Sequence, residues 1–225
     1  MSPSAVTPRY TVPGLSVEQG GKVIALLSMR LHALNDLALT LKHIHWNVVG
    51  PHFIAVHEML DPQTSAVREM ADEAAERISA LGGAPQGTPG VLVAERAWED
   101  YSIGRADAIA HLGALDLVYA GLIQSHRHAA EEIEDVDPVT QDLLITQLRD
   151  LEKFQWFVRA HLETGSGRLT TAGTEREVQA ARAAKEGATS AEAPRKAAKK
   201  SPAKKSAAKK TTAKRTTASR NRTSR

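Results

Sequence analysis

The 225-residue sequence predicts an all-α protein: a four-helix bundle with a short helix in one long crossover. Three observations carry this expectation. Apolar residues recur at helical spacing over long runs, Gly and Pro punctuate the breaks, and no alternating strand pattern occurs. The first run, Val17–Asn47, carries Val23, Leu26, Leu27, Leu31, Leu34, Leu37, Leu41 and Ile44, and Gly50-Pro51 ends it. The second, residues 53–81, closes at Gly82-Gly83. Residues 82–90 read as a loop and 94–101 as a connector helix. Residues 104–135 form the third helix, with Leu112, Leu115, Val118, Leu122 and Ile133 on its apolar side. Asp137-Pro138 reads as a cap and first-turn proline. The fourth helix, 138–163, then carries Leu144, Leu148, Leu151, Phe154, Val158 and Leu162. Helices of this length, joined by short breaks and one crossover, suit a four-helix bundle.

Composition removes several function classes. With no cysteine, a disulfide scaffold, a zinc ribbon, an iron–sulfur protein and a thiol nucleophile are excluded. Residues 1–15 hold no apolar core of signal-peptide length, and no run approaches the ~20 apolar residues of a membrane span. A cytoplasmic protein with no membrane partner is expected.

The net charge of +3 conceals a division. Residues 185–225 contain 14 basic and two acidic residues, +12, which leaves 15 basic against 24 acidic, −9, in the rest. The basic end is repetitive. Four successive five-residue units carry Lys199-Lys200, Lys204-Lys205, Lys209-Lys210 and Lys214-Arg215. They offer almost nothing large and apolar to bury, so ordering would have no compensation and a disordered tail is expected. Cations at this spacing suit a phosphate backbone. The expected organisation is a flexible segment at 1–14, the bundle at 15–165, a linker at 166–187 and a DNA-binding tail at 188–225. Residues 164–187 read as a frayed helix end and linker.

One constellation carries chemistry. His57, Asp61, Asp72 and Glu76 are separated by 4, 11 and 4 residues. At ~100° per residue they share one side of the second helix. His45 lies across a short turn at the end of the first. Two imidazoles and three carboxylates suit iron, zinc or manganese. Along a straight helix, however, Asp61 and Asp72 are about 16 Å apart, and His57 and Glu76 about 28 Å. Metal–ligand bonds are only about 2 Å, so one helix cannot close around one ion. Either these are unrelated polar residues, or a second copy runs antiparallel and brings His45, His57 and Asp61 against its own Asp72 and Glu76. Pro62 is expected to interrupt or kink this helix, or to start its main segment.

The segments Lys42-His43-Ile44-His45-Trp46-Asn47-Val48-Val49-Gly50, Phe53-Ile54-Ala55-Val56-His57-Glu58-Met59-Leu60-Asp61 and Asp72-Glu73-Ala74-Ala75-Glu76-Arg77 closely resemble the Dps family, the miniferritins known as DNA-binding proteins from starved cells. The likeness spans roughly residues 15–165 and includes Asp150-Leu151-Glu152-Lys153-Phe154-Gln155-Trp156-Phe157. It implies a ferritin-like bundle assembling into a hollow homododecamer, with ferroxidase centres at two-fold interfaces. His45, His57 and Asp61 match the ligands from one subunit, and Asp72 and Glu76 those from its neighbour. Trp46 matches the tryptophan beside the centre, an electron donor. The implied substrate is iron, two Fe(II) per centre, oxidised to Fe(III) with hydrogen peroxide preferred. The basic tail resembles tailed actinobacterial members, implying non-specific binding of double-stranded DNA and nucleoid association.

Conventional ferritins hold iron inside one bundle through Glu-x-x-His pairs. None of the nine histidines here has Glu three residues before it. His43 falls on nearly the opposite face from His45 and reads as a surface or packing residue. His126 and His128, near Glu131 and Glu132, read as polar helix residues, and Trp98 and Trp156 as core or interface anchors. The rival expectation is a structural nucleoid protein with a histone-like tail and no active metal site.

Overall fold

The computed structural model describes residues 8–192. The expectations for residues 1–7 and for Lys199, Lys200, Lys204, Lys205, Lys209, Lys210, Lys214 and Arg215 lie outside them.

Helix α1, Val17–Asn47, starts at a reciprocal cap. Ser16 Oγ accepts from the Gln19 N–H at 3.1 Å, and Gln19 Oε1 accepts from the Ser16 N–H at 2.8 Å. Two otherwise unpaired donors are thereby satisfied. After α1 the chain is extended over β1, Val48–Val49, and turns at Gly50, whose φ of +94° favours a residue without Cβ. Helix α2 follows over Phe53–Ala80. Pro62 lies inside it without ending it, so the long second helix is continuous through the proline. Gly82, at φ +88°, passes so close to the N-terminal segment that a Cβ there would lie 2.2 Å from the Tyr10 carbonyl oxygen.

The crossover differs from expectation. Its helix, α3, spans Pro89–Glu95, earlier than residues 94–101. Pro89 in the first turn has the right fixed φ and no N–H to leave unpaired. The chain beyond α3 is held by side chains instead: Trp98 Nε1–H donates to Asp36 at 2.7 Å, and Arg96 pairs with Asp36 and Asp100. A two-residue strand, β2, Ala106–Asp107, then pairs in parallel with β1, Val48 opposite Ala106 and Val49 opposite Asp107. This pairing, which has no alternating pattern to announce it, delays the next helix. Helix α4 spans Ala108–Glu132 and is capped by Asp107, whose carboxylate accepts from the Ala110 N–H at 3.0 Å.

Helix α5 spans Pro138–Leu162. Asp137 occupies its cap position but accepts no backbone N–H through its side chain. The carboxylate instead accepts from Arg77 at 2.7 Å and from the Thr140 hydroxyl, tying the end of α2 to the start of α5.

Residues expected to fray or link form a further helix, α6, Glu177–Glu192. It packs on α4 through Ala180, Ala181 and Ala184, all buried. The fit depends on Gly113, where a Cβ would stand 2.6 Å from the Ala180 carbonyl oxygen. Lys185 reaches Asp107 at 2.8 Å, and Glu177 accepts from the Ser102 N–H at 2.7 Å. A stripe of alanines gives too little apolar contrast to stand out in sequence.

α1 packs along α2 and α4 along α5. Leu27, Leu34, Leu37, Leu41, Leu60, Ile78, Leu112, Leu115, Tyr119 and Leu144 are fully buried between them. Contrary to expectation, α1 and α4 are long and apolar enough to cross a membrane, with 18-residue stretches of mean hydropathy 1.3 and 1.2. Just over half of each stretch, 56%, is buried within the bundle.

Candidate metal centre

His45 lies in the last turn of α1, and His57 and Asp61 in the first turns of α2, with β1 and the Gly50 turn between them. The short reversal brings the two imidazoles face to face, 3.6 Å between centroids and 21° between planes. Each ring is held by the other residue's backbone. His45 Nδ1 lies 3.0 Å from the His57 carbonyl oxygen, and His57 Nδ1 lies 2.9 Å from the His45 carbonyl oxygen. A carbonyl oxygen only accepts, so both Nδ1 atoms carry hydrogen, and in the neutral ring Nε2 is the atom left with a lone pair. An outer hydrogen bond that sets the tautomer and orients the ring is what a metal-binding histidine needs.

Asp61 joins the pair, its Oδ1 3.3 Å from His45 Nδ1. The same oxygen accepts from Lys42 Nζ at 3.0 Å. That bond, reinforced by the Lys42 charge, holds the Asp61 carboxyl below its usual range despite some desolvation. The spacing of His57 and Asp61 pointed to a shared face, but it did not single out Lys42. The available signal was its position three residues before His45 and four before Trp46, one helical turn away. Lys42 Nζ lies 5.8 Å from the Trp46 ring, which is 71% exposed. Phe53 packs at 5.0 Å against the His57 ring.

Asp72 and Glu76 stand further along α2, both exposed. α2 does not fold back on itself, so one chain brings His45, His57 and Asp61 together and leaves Asp72 and Glu76 apart. Among the described residues, no group of three or more His, Asp or Glu side chains is arranged to hold an ion within a single chain. The donor set fits ferrous iron chemically: two imidazoles oriented through Nδ1, and a carboxylate held below its usual pKa.

The other histidines lie elsewhere. His126 is fully buried, its Nε2 3.0 Å from Gln147 Oε1, and burial lowers its pKa to about 4. His32 pairs with the Gln86 carbonyl and His43 with the Ile103 carbonyl. These bonds serve packing and loop placement.

A family model described as a ferritin-like domain matches residues 24–167. The DNA protection during starvation protein of Mycolicibacterium smegmatis is 56% identical over 172 residues, 76% of this chain and 94% of that protein. The fine tangled pili major subunit of Haemophilus ducreyi is 53% identical over 160 residues, 71% of this chain and 85% of that protein. Among solved structures, DpsA14 from Streptomyces coelicolor aligns at TM-score 0.72 and 70% identity, covering 72% of this chain and 97% of that one. Mycobacterium smegmatis Dps aligns at 0.73 and 57% identity, covering 74% and 95%. With a helical bundle matched over nearly the full length of such relatives, the chain belongs to the ferritin-like family and, within it, to the Dps proteins.

Proposed function

We propose that the protein oxidises ferrous iron with hydrogen peroxide at centres shared between two copies and stores the ferric product inside a hollow dodecamer. The observation that carries this reading is the reciprocal pair, His45 and His57, each held through Nδ1 by the other's backbone carbonyl, with Asp61 against His45. Three ligands from one chain cannot reach Asp72 and Glu76 of the same chain, but a two-fold-related α2 supplies them. Each such centre takes two Fe(II). Each ion gives one electron, and peroxide with two protons becomes two waters. Two-electron reduction avoids hydroxyl radical. Trp46, exposed at the edge of the centre, serves as a nearby electron donor.

We also assign non-specific binding of double-stranded DNA to the basic pairs from Lys199 to Arg215. Lysines contact phosphate and read no bases, and twelve tails on one particle add avidity. This places the protein in the cytoplasm on the nucleoid.

An anaerobic ferrous titration followed by peroxide tests the iron reading. A stoichiometric oxidation step at two Fe(II) per chain, slowed in both His57→Ala and Asp72→Ala, supports it. Wild-type rates in both variants overturn the site, and the absence of any step favours the structural nucleoid protein. For DNA, removing residues 188–225 should abolish retardation at moderate salt and leave iron oxidation intact. Undiminished retardation refutes the tail's role.

A further inference from the structure

Arginines that pack between elements of this fold meet carboxylates. Arg77 binds Asp137 at 2.7 Å, Arg96 binds Asp36 at 3.5 Å, and Arg159 binds Asp116 at 2.7 Å. Arg30, on α1, is the exception, and it is more buried than these three, at 7% exposure. Its Nη1–H donates to the Ser125 hydroxyl on α4, and its Nε–H is buried without an acceptor. Among the described residues, no carboxylate pairs with it. Burial holds its pKa below the usual range, yet a guanidinium stays charged near neutral pH. A charge withdrawn from water without a counter-ion is costly, and an anion beside it would offset that cost.

Arg30 stands at one end of a cleft. The space, about 940 Å³, lies between α1, α4, the chain around Trp98 and the start of α6. Ser125 lines it, so the residue that holds Arg30 also faces the cleft. Ala33 and Leu37 form part of its α1 wall, three and seven residues beyond Arg30, which places all three on one helix face. The walls are apolar, with Leu37, Leu117, Val118 and Leu122. From Arg30 to Thr40, another lining residue, α1 advances about 15 Å.

Gly121 keeps the cleft open. A glycine inside a helix is destabilising relative to alanine. Gly113, on the same helix, is required by the close approach of α6, whereas a Cβ at Gly121 would meet nothing within 4 Å. No neighbour in the chain forbids a side chain there; a long one would occupy the cleft. The part of the lining away from Ser125 carries Glu99, Asp100, Glu175 and Glu177. Asp100 pairs with Arg96, and Glu177 accepts from the Ser102 N–H. An ammonium head would suit the other two but would leave Arg30 uncompensated, so the buried charge decides the sign of the ligand.

We propose that the α1–α4 cleft binds an aliphatic monocarboxylate, its head on the Arg30 guanidinium and the Ser125 hydroxyl and its chain along Leu37, Val118 and Leu122. With C–C bonds of ~1.5 Å in a zig-zag, a cleft about 15 Å long suits a chain of roughly a dozen carbons. Ser125 accepts from Arg30 through its oxygen, and its own O–H stays available to donate to the carboxylate. A guanidinium and a carboxylate form charge-assisted hydrogen bonds, which are stronger where water is excluded. The apolar walls supply the rest of the affinity by covering the chain, as in small-molecule sites of this size.

Isothermal titration calorimetry of the full-length protein with sodium dodecanoate, kept below the concentration at which it forms micelles, tests the assignment. One binding event per chain is expected. Dodecanol keeps the chain and lacks the charge, and it should bind at least about tenfold more weakly. Arg30→Met, which removes the guanidinium, should weaken dodecanoate by a similar factor, and Gly121→Leu, which fills the cleft, should abolish its binding. Both variants keep every basic residue from Lys199 to Arg215, so dodecanoate held there would bind each of them as it binds the wild type. Unchanged affinity in either variant overturns the proposal. So does a preference for dodecyltrimethylammonium, which would assign the cleft to cations through Glu99 and Glu175, and so does the absence of any binding. If Arg30→Met fails to fold, dodecanol and Gly121→Leu decide alone. The titration contains no iron, so its result stands apart from the ferroxidase reading.

Discussion

His45 and His57 each donate an Nδ1–H to the other's backbone carbonyl, 3.0 and 2.9 Å away, across the single turn that joins their helices. The bond that orients each ring is thus built into the path of the chain. Neither imidazole needs an outside side chain to choose its tautomer.

If centres are shared, two dead variants should rescue each other. His57→Ala and Asp72→Ala are each expected to lose iron oxidation by at least about tenfold. Refolded together, their mixed dimers contain one intact centre, in which His57 of one chain meets Asp72 of the other. Random pairing then restores about a quarter of the wild-type rate. Stopped-flow oxidation of the refolded mixture checks this, and a mixture as slow as its components would mean each chain works alone.

Lys42→Met should shift the acid limit of ion binding. The Lys42 bond is the leading reason that the Asp61 carboxyl lies below its usual range. A depressed pKa keeps the carboxylate charged to lower pH, so losing Lys42 moves the loss of binding to higher pH. Cobalt(II) titrations followed by absorbance between neutral and acid pH should show the edge rising. An unmoved edge would leave Lys42 with no role at the centre.

Gly113→Val should loosen α6 without touching the four-helix core. Even the first side-chain carbon would lie 2.6 Å from the Ala180 carbonyl oxygen and 2.8 Å from the Ala184 methyl. Overpacking of this kind costs about 1–3 kcal/mol. Amide hydrogen exchange should accelerate across residues 177–192, with protection kept in α1 and α2. Equal loss in all helices would argue against a separately docked α6.

His126 should make the bundle sensitive to mild acid. Burial lowers its pKa to about 4, against an ordinary 6.5. The unfolded chain therefore binds a proton between those values when the folded chain does not, so this contribution to stability is full above about 6.5 and falls as pH drops towards 4. The full loss is roughly 3 kcal/mol. Urea midpoints should fall less steeply over that window in His126→Gln than in the wild type, and parallel curves would refute the assignment.

The legible part of the fold was the part held by large apolar side chains. α1, α2 and α5 follow leucine-rich stripes and end at Gly-Pro, Gly-Gly and Asp-Pro breaks, so their limits fall within a residue or so of expectation. α6 rests on Ala180, Ala181 and Ala184, which mark no face strongly, so it resembled a linker. The β1–β2 pairing is equally silent, because two residues cannot display a period. At the centre, spacing placed His57, Asp61, Asp72 and Glu76 on one face but said nothing of ring orientation. That information lies in the backbone of the turn. Lys42 was missed for a related reason: a lone lysine on an exposed face has no signature until its partner is placed.

Asp107 has three duties at once. It continues the short pairing with Val49, caps α4 through the Ala110 N–H, and receives Lys185 from α6. The strand it pairs with is the same stretch of chain that spaces the two imidazoles. Through Lys185 and this one carboxylate, α6 is thus joined, besides its packing on α4, to the short stretch of chain that separates His45 from His57.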